Sequence, residues 1–159
     1  MKTIERSAWD EPRPFITALE PFYTHIRNLS YPLIRVTAGG MLLVHGVIKL
    51  TTTTVAAFAA SSLERRGIEP ALPLAYVVWF IETVGAVCIM LGLFTRLFAA
   101  AAVIEFIVIV FVAHWPQGFW FSRPGGGWEY PALWGLIFLA ILLRGGGPYS
   151  LDRKIGREF

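Results

Sequence analysis

Residues 72–94 read LPLAYVVWFIETVGAVCIMLGLF, with Glu82 as their one acidic or basic side chain. A hydrocarbon core about 30 Å thick is crossed by about 20 mostly apolar residues in a helix. Without water, the backbone groups of such a segment must satisfy one another, which a helix does internally. The run has no apolar–polar alternation, so it does not read as a barrel strand. Three further apolar blocks lie at 32–51, 96–114 and 129–143. The last is short, and must stand nearly upright or meet a thinner bilayer. The expected fold class is all-α, a four-transmembrane-helix bundle.

The boundaries carry their own signals. Ser30 is placed to cap the first span, with Pro32 in its first turn, and Pro73 falls in the first turn of the second. The stretch Gly92-Leu93-Phe94-Thr95-Arg96 reads as a tight turn. Trp115-Pro116 ends the third span, Trp128 and Tyr130 flank the start of the fourth, and Gly145-Gly146-Gly147-Pro148 ends it. Before the first span, Phe15, Leu19, Phe22, Ile26 and Leu29 recur at helical spacing. Residues 14–29 are therefore expected as an amphipathic interfacial helix on the cytoplasmic surface, kinked at Pro21. No continuous apolar core precedes it, so this stretch does not read as a signal peptide. A second amphipathic helix is expected at 55–66, stopped by Gly67.

Composition agrees with the block reading. The 159 residues are 55% hydrophobic and 16% charged, against about 25% charged in soluble domains. That excludes a disordered chain, a collagen-like chain and an ordinary cytosolic enzyme. The lone Cys88 excludes an internal disulfide and a CxxC redox pair. One Cys and three scattered His make no zinc, haem or iron–sulfur signature, so no metal site is expected. The net charge of +3 points to cytoplasmic loops and tails rather than to nucleic acid. With both termini inside, ten of the 14 Lys and Arg residues fall inside, and four (Lys49, Arg65, Arg66 and Arg123) fall outside. The expected topology is N-in, C-in.

Ionisable groups inside spans cost about 2.5–3.5 kcal/mol each at the bilayer centre, so they face the bundle, find partners or stay neutral. Glu82 and Glu105 fall near mid-span, and His45 lies in the outer half of its span. Lys49, His114 and Glu129 fall near the outer surface. His45 and Lys49 are four apart and share one helix face. Arg35 lies ~21 Å below Lys49. Glu82 is expected to pair with His45 or Lys49, and Glu129 with the remaining base or with Arg123. Gly85 is expected to let a neighbouring helix approach the Glu82 carboxylate.

The order of motifs is itself informative. Leu33-Ile34-Arg35 and Val44-His45-Gly46-Val47-Ile48-Lys49-Leu50 are followed by Ile81-Glu82-Thr83-Val84-Gly85 and Leu91-Gly92-Leu93-Phe94-Thr95-Arg96. Then come His114-Trp115-Pro116-Gln117-Gly118-Phe119, Gly126-Gly127-Trp128-Glu129-Tyr130-Pro131 and Gly147-Pro148-Tyr149-Ser150-Leu151-Asp152. Together they closely resemble the DoxX family of small four-helix membrane proteins, over residues 31–152. That division leaves 1–30 as a cytoplasmic N-terminal segment and 153–159 as a cytoplasmic tail. The resemblance implies the cytoplasmic membrane of a prokaryote and a link to respiratory redox chemistry. Relatives include a membrane subunit of an archaeal thiosulfate:quinone oxidoreductase. The family's recurring polar positions map onto Arg35, His45, Lys49, Glu82, His114 and Glu129. Glu105 departs from the pattern, on a span that is usually apolar.

The leading functional expectation is an oxidoreductase subunit binding a quinone or similar small electron carrier among His45, Lys49, Glu82 and Glu105. A quinone needs an apolar slot and donors at its carbonyls, which His45 or Lys49 could supply. The chain carries no electron-transfer motif of its own, so another membrane or peripheral redox protein is the expected partner. Competing expectations are a non-catalytic accessory subunit docking on a larger membrane complex and a small proton-coupled carrier, and a homo-oligomer is the alternative to a redox partner. Four short spans without inverted halves weigh against the carrier.

Overall fold

Three of the apolar blocks form helices long and apolar enough to cross a membrane: α1, Thr17–Thr51; α3, Ala71–Leu91; and α4, Thr95–Gln117. The computed structural model describes residues 14–158, which contain helices and turns and no strand. Of the expected segment 1–30, residues 1–13 lie outside the described range, with Lys2, Arg6 and Arg13 of the charge tally. Phe159 of the tail lies outside it as well. The fourth block forms α5, Glu129–Arg144, 16 residues or ~24 Å long. Between α1 and α3 lies α2, Val55–Phe58, which Thr54 caps by accepting from the Ala57 N–H. It continues through a π turn at Ala59–Leu63 and a 3-10 turn at Glu64–Arg66, and Gly67 stops it with a positive φ of 70°. A short α6, Leu151–Ile155, closes the chain.

Two expectations at the start of the chain are corrected. Ser30 does not cap a new helix, because the helix already runs through it. Its hydroxyl donates backward to the Arg27 carbonyl at 2.9 Å. The expected break at residue 30 is thus a one-turn 3-10 tightening at Arg27–Leu29 within one helix. Pro21 does not kink this helix either. It sits in the first turn of Glu20–Ile26, where its missing N–H leaves no bond unmade.

The packing makes two helix pairs. α1 lies along α3, and α4 lies along α5. Gly46 of α1 sets the first pair: a Cβ there would meet the Glu82 carbonyl oxygen at 2.7 Å and Thr83 Cγ2 at 2.6 Å. Small residues at a helix contact permit this backbone approach. The small residue that brings α1 to Glu82 is therefore Gly46. The expected Gly85 instead receives the Phe98 ring of α4. In the second pair, Phe106 and Phe138 stack at 5.5 Å. Ala38 and Leu42, Ala86 and Ile89, Ala99 and Ala102, and Phe138 and Ile141 bring all four helices into one core. Towards its N-terminus α3 leaves this core. Ala71 and Ala75 bury themselves on Val55 and Ala59 of α2. Phe80 and Phe98 still touch, with centroids 6.1 Å apart, but Ala71–Phe80 as a whole packs chiefly on α2 and α1. The two pairs therefore separate beyond this point.

The opposite end is tied shut. Phe94 adopts φ +48°, a left-handed conformation costing about 1 kcal/mol. Asp152 holds it there. Its carboxylate accepts from the Phe94 N–H at 2.7 Å, the Thr95 N–H at 2.9 Å and the Thr95 hydroxyl at 2.6 Å. The Asp152 N–H donates to the Gly92 carbonyl at 2.8 Å. Gly92, with φ +69°, leaves room for the Arg35 guanidinium, which any Cβ would strike. The Tyr31 hydroxyl donates to the Gly145 carbonyl, and Arg144 lies over the Tyr31 ring at 4.5 Å.

Asp152→Ala removes three charge-assisted hydrogen bonds and should lower stability by about 2–4 kcal/mol, with Asp152→Asn losing less. Denaturant unfolding of the detergent-solubilised protein measures this, and an unchanged midpoint for Asp152→Ala would contradict the assignment.

Candidate functional site

Lys49 lies one turn beyond His45 on α1, and Gly46 presses that turn against α3 at Glu82. There α3 widens into a π turn, Ile81–Gly85. Such single-turn widenings re-aim side chains and recur at functional sites. The Lys49 ammonium donates to Glu82 Oε2 at 2.5 Å. It also lies 4.5 Å from the centroid of the Phe58 ring of α2, a cation–π contact. Both members of the ion pair are buried, with side-chain exposures of 11% and 6%. Of the two partners expected for Glu82, the structure selects Lys49. His45 makes no hydrogen bond among the described residues, and its ring is exposed along one wall of the cleft.

Glu105 completes the cluster from α4. It is 8% exposed and lies within electrostatic range of Glu82 and Lys49. Its Oε2 is buried and accepts no hydrogen bond from any donor among the described residues. Two acids and one base thus meet where α1, α3 and α4 converge. They form the floor of a cavity of about 560 Å³ lined mostly by apolar and aromatic side chains. Its walls include Leu42 and His45 of α1, Val77 and Val78 of α3, Ile104 and Val108 of α4, and Trp134 and Phe138 of α5. Phe58, Ser62 and Arg66 close it from α2.

The remaining expected site residues fall at different distances from this floor. His114 lines the cavity, and its Nδ1 is 2.8 Å from the Gly126 carbonyl. That contact fixes the ring and makes Nδ1 the donor. Glu129 does not line the cavity, and its expected pairing with Arg123 or a leftover base is corrected. Its Oε2 accepts from the Phe121 N–H at 3.2 Å, across the loop that leads into α5. Arg35 is not brought to the cluster. It is 1% exposed at the tied end, donating to the Gly146 carbonyl and, at 3.0 Å, to the Tyr149 carbonyl. Its task is to hold the C-terminal turn.

Sequence reasoning missed the α2 wall and Phe138 of α5. The apolar face of 55–66 was the available signal, because a face that must be covered can cover a cavity as well as a membrane surface. Trp115 and Trp128 stack on each other at 5.5 Å with planes 19° apart, and Phe119 stands edge-on to Trp128. These rings hold the 116–128 loop together and leave Trp134 to face the cavity.

Three long apolar helices, with a charged cluster buried between them, define a helical membrane protein. Residues 31–115, more than half of the chain, match the DoxX family, and the chain belongs to it. An uncharacterized protein of Haemophilus influenzae is 30% identical over 128 residues, covering 79% of this chain and 90% of that one. No solved structure matches.

The buried pair sets a clear expectation. Lys49→Met strands the Glu82 carboxylate and should cost about 3–5 kcal/mol, whereas the double variant Lys49→Met/Glu82→Met should recover most of that loss. A thermal-unfolding cycle in detergent tests this. Additive losses would show that the two side chains do not interact.

Proposed function

We propose that the chain is an integral membrane subunit of a respiratory or other redox system. In this reading it binds a quinone or a similar small electron carrier in the cleft between its helix pairs. The observation that carries the reading is the polar floor of Lys49, Glu82 and Glu105 beneath an otherwise apolar cavity. A volume of about 560 Å³ suits a ring-sized ligand. The fit to a quinone rests on chemistry present in the chain. Lys49 gives Glu82 one of its three N–H donors, and the carbonyls of a flat ring need donors. Trp134 and Phe138 supply aromatic surface, and the apolar walls exclude water. A bound quinone would supply two-electron chemistry. The residues themselves would orient it and hold protons at the Glu82 and Glu105 carboxyls.

In this reading α5 forms a fourth, short span, and the bundle sits in the cytoplasmic membrane of a prokaryote with both termini inside. The electron donor is a separate membrane or peripheral redox protein. The N-terminal turns of α1 suit contact with such a partner or with the lipid surface, because none of the residues 17–29 is buried.

An accessory, non-catalytic role has one observation in its favour. Lys49 and Glu82 already satisfy each other, as a purely structural pair would. The two readings part on ligand content. Protein purified in mild detergent should carry extractable quinone, and Glu105→Leu should lower its content at least fivefold without loss of fold. Quinone-free protein that also fails to bind added quinone would overturn the redox reading and leave the accessory one.

A further inference from the structure

The cleft is open at the side, between α3 and α4. Phe80 and Phe98 mark its lower edge, since above them Ala71–Phe80 turns its packing towards α2. Val77 on the α3 side is 53% exposed, and Ile104 and Val108 on the α4 side are 64% and 41% exposed. All three also line the cavity, so the same side chains face the cleft and the surroundings of the bundle. Above that aromatic edge the three side chains are aliphatic. On the α1 and α5 sides the cavity lining includes the polar or aromatic His45, Tyr130 and Trp134.

We propose that the cleft takes an amphiphile of one particular shape: a neutral, hydrogen-bonding ring carrying an apolar chain. It is admitted sideways from the lipid, with its ring on the Lys49–Glu82–Glu105 floor and its chain leaving between Val77 and Ile104. This rests on the reading of the cleft as a carrier site, and adds the ligand's tail, its direction and its path.

Three observations carry the inference. The head must be neutral, because Lys49 and Glu82 already neutralise each other. At the floor the base and one acid are already paired, so a charged head would bring its own desolvation cost there and would have to break that pair to gain a countercharge from it. The head must also hydrogen-bond, because Glu105 Oε2 is an orphaned polar atom beneath an apolar wall. Such an atom costs free energy unless a donor reaches it. The tail must be apolar, because the slit between the floor and the bilayer is lined by Val77, Ile104 and Val108 above the Phe80 and Phe98 rings. A water-soluble ligand would gain nothing from it.

The experiment measures the shift in melting temperature of the detergent-solubilised protein with three probes: a decyl-substituted benzoquinone, a decyl-substituted phenol, and the same benzoquinone without its chain. The two decyl probes should raise the melting temperature, with dissociation constants at least tenfold lower than that of the tailless ring. Ile104→Trp should weaken the decyl probes at least tenfold and the tailless ring less than twofold. Leu136→Trp, the same added bulk at an exposed position of α5 that does not line the cavity, should keep full binding. Equal affinity for tailed and tailless rings, or full decyl binding in Ile104→Trp, would overturn the inference. So would the absence of any decyl-probe binding. Binding of the decyl phenol without either quinone would support the amphiphile site and overturn the redox reading alone.

Discussion

The Lys49–Glu82 ion pair is the contact on which the arrangement of the helices turns. Two opposite charges in an apolar bundle must meet at hydrogen-bonding distance, because neither has water to fall back on. Meeting at 2.5 Å requires α1 and α3 to approach backbone to backbone, and only a residue without a side chain allows that at position 46. It also requires the α3 backbone to widen at Ile81–Gly85, which turns the carboxylate towards α1. Phe58 then covers the ammonium from α2. Glu105 arrives from α4 without a base of its own.

The two ends of the bundle are built for different tasks. At one end Arg35, Tyr31 and Asp152 spend their polar groups on the backbone of the C-terminal turn and of the α3–α4 connection. The two terminal nitrogens of Arg35 donate to carbonyls there, and the chain ends of the bundle are tied together. At the other end the helix pairs separate, Lys49 and Glu82 bond to each other, and Glu105 Oε2 is left without a donor beside the cavity. A fixed base under an open cleft lets a site keep its geometry while a ligand passes through its side.

Much of this was legible in the sequence. The apolar blocks and their stops follow from hydropathy and from the conformations that Gly67, Gly92 and Gly145 permit, and the structure puts them where the pattern does. The buried ionisable residues announced themselves by their cost. Other features were not legible, each for a physical reason. Helical spacing puts His45 and Lys49 on one face but does not say which reaches Glu82, since that depends on the crossing point set by Gly46. Arg35 and Lys49 both read as span charges, yet only the fold of the C-terminal turn shows that Arg35 serves backbone carbonyls. Ser30 and Pro21 carry boundary chemistry that a longer helix can absorb. The π turn at Glu82 has no sequence mark, and the cavity exists only because α3 leaves α4 for α2.

The central claim is that the cluster of Lys49, Glu82 and Glu105 is the floor of an occupied cleft. The most direct measurement is a density map of the protein purified in native lipid, at a resolution that shows side chains. The account predicts a ring-shaped, non-protein feature above that floor, with an extended tail running out between α3 and α4, and Lys49 still bonded to Glu82. A cleft collapsed onto its own side chains, or Lys49 turned away from Glu82 towards the membrane surface, would contradict it.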